Sequence, residues 1–143
     1  MTTALTEIPQ DESDQNAIDH LISRFYGIFN TKNNTPDFET IYSLCIVETQ
    51  IIKIEDASPV LYNLHSFMAP RKALLTDGRL TDFEEYETVS ETKISGHLAQ
   101  RYSEYSKNGI LQGKPFEGNG KKMFQCIRME NRWQITAVQW EDE

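Results

Sequence analysis

Long apolar runs are missing from these 143 residues, and none approaches the roughly 18 that a membrane-spanning helix needs. No membrane partner is therefore expected. Cysteine is nearly missing too. Cys45 and Cys126 are the only two, and both fall in apolar, strand-like stretches. A disulfide framework or metal site needs closer spacing or further ligands, so they read as buried free thiols. Positive charge is in deficit, with 14 Lys and Arg against 22 Asp and Glu. The basic residues are scattered, with short pairs only at Arg71-Lys72 and Lys121-Lys122, which excludes the clustered charge that a nucleic-acid backbone calls for. Histidine is rare, and His20 and His65 stand on separate predicted helices without ligand spacing, so no metal is expected. No Gly-rich loop of the phosphate-binding kind follows a strand, so no cofactor is expected either. The opening MTTALTEIPQDESDQ lacks the basic start and apolar core of a secretory signal, which points to the cytoplasm.

What is present is periodicity. Residues 1–12 are polar and patternless and read as a flexible tail, leaving 13–143 as one α+β domain. From Asp14, the residues Ile18, Leu21, Ile22, Phe25, Ile28 and Phe29 recur at three- and four-residue spacing and predict a helix with one apolar stripe. Thr35-Pro36-Asp37 opens a short second helix through Leu44, and Ile46–Ile54 is rich in β-branched residues and reads as a strand. Residues 55–62, with Pro59, read as a connection. Asn63–Thr76 is helical, with a break expected at Pro70.

The remainder alternates. Strands are predicted at 82–94, 97–107, 121–129 and 133–140, joined as a four-strand meander, with Asn108–Gly120 as a long loop or flap. Strict alternation then sorts the side chains onto two faces. One carries Glu85, Arg101, Ser103, Tyr105 and Gln125 among apolar residues, with Glu85 opposite Tyr105 and Ser103 opposite Gln125. The other carries Tyr102, Phe124, Val138 and Trp140. Helices can cover only one face, so the second is expected to pack against another copy of the chain, as a homodimer.

The order helix, short helix, strand, helix and long meander resembles the nuclear transport factor 2-like superfamily, and within it small SnoaL-like proteins. The residues that carry the resemblance are Gly78, Phe83-x-Glu85, Gly96-x-x-Ala99, Ser103-x-Tyr105, Gly120, Phe124-Gln125, Trp133-x-Ile135, Trp140 and Glu143. It covers roughly residues 14 to 143. It implies a cystatin-like cone, with N-terminal helices packed on a curved antiparallel sheet around a pocket, and it implies dimerisation. It does not bring a catalytic set. The isomerase-type site uses aspartates, and this chain has none on the predicted pocket face of its meander. Scytalone dehydratase-like sites use histidines, and the only one in the meander is His97, beside a turn.

The residues themselves nominate a site. A carboxylic acid half-buried in an apolar hollow is shifted upward, as a general acid or base near neutral pH requires, so Glu85 is the candidate catalytic residue. An ion pair with Arg101, or plain solvation among its acidic neighbours, is the alternative. Tyr105 and Gln125 are placed to hold a ligand oxygen or to satisfy each other. Arg101 and Ser103 flank them, and Tyr26 and Phe67 either wall the hollow from the helix side or pack as core. The expected function is binding of a small apolar, carbonyl-bearing molecule, with acid/base isomerase, dehydratase or cyclase chemistry. A sensor or carrier without catalysis, or an interaction module with a filled hollow, are the alternatives.

Overall fold

The computed structural model describes residues 10–143. Helix α1, Gln10–Gly27, begins earlier than the predicted start at Asp14, so residues 10–12 are helical and the rest of the expected tail lies outside the described residues. Its apolar stripe is buried from Ile18 to Phe25 and faces β3 and β6. A 3-10 turn, Phe38–Thr40, capped by Asp37, leads into α2, Ile41–Leu44. Strand β1 runs Cys45–Glu55, and it folds back on β2, Ser58–Tyr62.

That hairpin replaces the predicted connection at 55–62. Asp56 and Ala57 take φ values of 49° and 63°, the left-handed pair that a two-residue hairpin turn demands. Pro59 is tolerated because β2 is an edge strand. Helix α3, Leu64–Thr76, starts on a capping box between Asn63 and Ser66, and it runs through Pro70 without the expected break. One residue beyond Pro70, the Arg71 side chain turns back so that Nη1 donates to the Phe67 carbonyl at 2.9 Å.

The meander is as predicted in order and longer in extent: β3 Leu80–Ser95, β4 Leu98–Leu111, β5 Lys114–Met129 and β6 Arg132–Asp142. Asn108–Gly120 is not a flap. The β4 and β5 strands pair to their ends around a turn at Gln112-Gly113. Gly113 serves that turn, whereas Gly109 and Gly120 mark close approach. A Cβ at Gly109 would lie 3.2 Å from Leu80, Phe83 and Phe116, and one at Gly120 would lie 2.1 Å from the Tyr105 hydroxyl oxygen. The sheet order is β2-β1-β6-β5-β4-β3, and β1 lies parallel to β6, so the sheet is mixed where an antiparallel one was expected.

Two features overturn the predicted faces. A two-residue turn puts an odd-numbered residue opposite an even-numbered one, so Ser103 pairs with Lys122 rather than Gln125. Register shifts then interrupt the alternation, in β3 between Glu87 and Val89 and in the β5–β6 pair at Gln125/Cys126. In consequence Trp133, Ile135, Val138 and Trp140 all point inward. Phe124 and Val138 are 0% and 1% exposed in the core, Trp140 is buried with them, and Tyr102 alone of the four expected dimer residues looks outward. The proposed contact face therefore does not exist as a face. The outward side of the sheet presents Tyr86, Val89, Leu98 and Met123 to solvent, with Tyr102 among them.

Candidate functional site

Between α1, α3 and the concave side of the sheet lies a cavity of about 230 Å³. Its helix wall is Phe25 of α1, Phe29 in the turn that follows it, and Phe67, Leu74 and Leu75 of α3. Its sheet wall includes Leu80 and Phe83 of β3, Phe116 of β5 and Val138 and Trp140 of β6. An apolar lining with a few converging polar groups is the usual make-up of a small-ligand site.

The polar groups come from six elements. Glu85 of β3 lines the cavity, as the sequence suggested, but its partner is not Arg101. Lys122 Nζ lies 3.1 Å from Glu85 Oε1, with both side chains largely buried. The Lys122 ammonium sits 3.9 Å from the centre of the Tyr105 ring, and burial lowers its pKa against the opposing pull of Glu85. At the other side Asp142 gathers Lys107 at 3.1 Å and Lys53 at 3.4 Å and accepts a hydrogen bond from the Tyr105 hydroxyl. Burial raises the Asp142 pKa, but that hydrogen bond and the two ammonium groups outweigh it and hold the carboxyl below its ordinary value. For Lys53, burial works against the charge, and Glu55 and Asp142 more than restore it. Burial and the bond to Asp142 both push the Tyr105 phenol upward, so it stays protonated.

Arg71 of α3 completes the lining. Its guanidinium carbon lies 4.0 Å from the Phe67 ring centre, and 5.4 Å and 5.5 Å from those of Tyr62 and Trp140.

Three other predicted residues, Arg101, Ser103 and Tyr26, belong to a separate, closed cluster on the same inner side of the sheet. Arg101, 3% exposed, donates to both oxygens of Glu87 and, through Nη1, to Asp19 and Thr92. Ser103 donates to Glu87 and meets the Tyr26 hydroxyl at 2.7 Å. Burial opposes the charge of Arg101, and the carboxylates of Glu87 and Asp19 raise its pKa regardless. Desolvation likewise raises that of Tyr26. Phe25, Tyr26, Tyr105 and Phe124 pack edge-on or tilted against one another close to this cluster.

Of the residues expected at the site, then, Glu85 and Phe67 line the cavity, and Tyr105 stands behind it with its hydroxyl committed to Asp142. Arg101, Ser103 and Tyr26 belong to the closed cluster. Gln125 is exposed on the opposite face of the sheet, for the parity reason given above. Lys53, Arg71, Lys107, Lys122 and Asp142 were missed. The Arg71-Lys72 and Lys121-Lys122 pairs carried the signal for two of them, because each puts one member on the inner side. Among the described residues no group of three or more His, Cys, Asp or Glu side chains is placed to hold a metal ion.

No protein-family model matches the sequence, and no curated protein does. Solved structures match well in shape. A Kribbella flavida protein superposes with a TM-score of 0.75 at 15% identity, over 93% of each chain. An NTF2-like protein with a cystatin-like fold from Novosphingobium aromaticivorans gives 0.71 at 12% identity, over 93% of this chain and 84% of its own. A scytalone dehydratase-like protein from the same organism gives 0.73 at 7% identity, over 93% and 86%. The chain has the NTF2-like, cystatin-like α+β fold, with its helices closing the concave side of a curved six-stranded sheet over a cavity.

Proposed function

We propose that the cavity binds a small apolar, carbonyl-bearing molecule and that Glu85 exchanges a proton with it. The observation that carries this reading is the buried Glu85–Lys122 pair, presented to an otherwise apolar cavity. A carboxylate and an ammonium side by side suit abstraction of a proton next to a carbonyl. Glu85 takes the proton, and Lys122 lies beside it to hold the oxygen on which charge develops. Lys122 and not Gln125 has this role, and Arg101 is not available to orient the substrate. The scytalone dehydratase-like neighbour keeps dehydration among the acid/base reactions to be considered.

The test does not require the natural substrate. With 2-acetonaphthone in D2O, the full chain should accelerate exchange of the methyl protons, followed by NMR. Glu85→Gln should lower that acceleration about 100-fold while near-UV circular dichroism is unchanged. Exchange no faster than in buffer, or unaffected by Glu85→Gln, would sink the proton-transfer mechanism.

The second reading is a sensor or carrier without catalysis, favoured by the ion pair that already engages Glu85. It predicts saturable binding of the ketone with no exchange. An interaction module with a filled hollow has less support, given a cavity of about 230 Å³. Self-association is part of the proposal, now through the outward side of the sheet where Tyr86, Val89, Leu98 and Met123 are exposed. Sedimentation giving a monomer at micromolar concentration would count against it. Among the described residues no helix is long and apolar enough to cross a membrane. Residence in the cytoplasm is supported by two free, buried thiols.

A further inference from the structure

We propose that the ligand is an anion, a carboxylate on an apolar body, and that Arg71 takes its charged end. This rests on the reading of the cavity as a ligand site and names the class of molecule it accepts.

The lining holds four cationic side chains, Lys53, Arg71, Lys107 and Lys122, against two carboxylates, Glu85 and Asp142. This excess sits inside a chain whose formal net charge is -8, so it is local to the cavity. The carboxylates are already shared out. Glu85 is paired with Lys122, and Asp142 with Lys107 and Lys53. Arg71 has no carboxylate partner: among the described residues, none lies within ion-pair distance of its guanidinium.

Leaving a partly buried guanidinium unpaired costs free energy, and here burial does pull its pKa down. The chain nevertheless holds the group in place. Nη1 donates to the Phe67 carbonyl, and the guanidinium lies over the Phe67 ring, with those of Tyr62 and Trp140 close by. Of five N–H donors, the Phe67 carbonyl uses one and the neighbouring Tyr62 hydroxyl can engage another. The rest stay available, and a pre-organised planar fork matches a carboxylate with little loss of entropy. The apolar body would lie against Leu74, Leu75, Phe83 and Phe116, which line the same cavity.

Isothermal titration of the full chain at neutral pH with 2-naphthoate and with 2-acetonaphthone tests this, because the two share one ring system and differ in charge. Naphthoate should bind at least about tenfold more tightly than the ketone. Arg71→Met should erase that preference by weakening naphthoate, leaving the ketone within about twofold. Arg71→Gln, which keeps more of the stacking, should do the same if the Met variant does not fold. Equal binding of the two by the unaltered chain overturns the anion inference and leaves the ligand site standing. A preference that survives both Arg71 variants overturns the assignment to Arg71. Binding of neither compound overturns the inference together with the reading beneath it.

Discussion

The inner side of the sheet carries two ionic clusters, built from the same kinds of residue and left in opposite states. Around Arg101 every strong donor and acceptor is matched. The guanidinium meets Glu87 with two nitrogens and Asp19 and Thr92 with a third, and Glu87 is bound again by Ser103. Around the cavity the cations outnumber the carboxylates, and Arg71 is held by aromatic rings without a counter-ion. A saturated cluster can only hold elements together, here α1 to β3 and β4. An unsaturated one retains capacity for something else. Charged residues on a concave sheet face therefore do not mark a site by themselves; what marks it is unmatched charge beside empty space.

The largest expected effect comes from unbalancing the closed cluster. Arg101→Met strands the partly buried Glu87 without its counter-ion and should cost about 3 kcal/mol of stability, read as a fall in urea midpoint. Asp19, half exposed, contributes little of that. A loss below about 1 kcal/mol would mean the cluster is not the structural tie described here.

Next is Gly120→Ala. The added methyl would collide with the buried Tyr105 hydroxyl and come within 2.7 Å of the Glu141 carbonyl oxygen, neither of which is a flexible end. The expected cost is about 2 kcal/mol, with the Tyr105–Asp142 bond disturbed and ketone binding weakened. Unchanged stability and binding would show that the sheet yields there at no cost.

A smaller effect concerns pH. The Asp142 carboxyl is held below its ordinary value, so its contribution is complete above the unfolded-state value near 3.9. It is lost as pH falls through the depressed folded value. Asp142→Asn should cost about 1 kcal/mol at pH 7, and its stability curve should converge with that of the parent as pH falls through the depressed folded value. Curves that stay parallel throughout would remove Asp142 from the acid limb.

The smallest effect is kinetic. Burial pushes the Cys45 and Cys126 thiols up to about 12, so at pH 8 only about one in 10,000 is thiolate. Native protein should react with a thiol-disulfide reagent far more slowly than urea-unfolded protein, and equal rates would contradict their burial.

Much of this fold could be read along the chain. The stripe from Ile18 to Phe29, the strand from Ile46 and the meander depend on local spacing and turn composition, which the residues carry themselves. The site was legible only in part. Glu85 and Phe67 were found because β3 alternates from Phe83 to Glu87 and α3 keeps its helical spacing. Gln125 was misplaced because the Asn108–Gly120 glycines read as a flap, and a flap hides the two-residue turn that sets β5's parity. Phe124 was put on the wrong face for the same reason, and Val138 and Trp140 because of the irregularity opposite Gln125 and Cys126.

By itself, then, the order of residues determined the class of fold, the number and order of the long strands, and the presence of a carboxylate at an apolar hollow. Tertiary structure alone decided which charges meet. Pairing across strands many residues apart shifts by one position at each bulge, and one position turns a side chain from cavity to solvent. No local pattern records that step. The tight turn at Gln112-Gly113 likewise sets the parity that brings Lys122 to Glu85, and Arg101, paired with Thr92 further along β3, meets Glu87 instead.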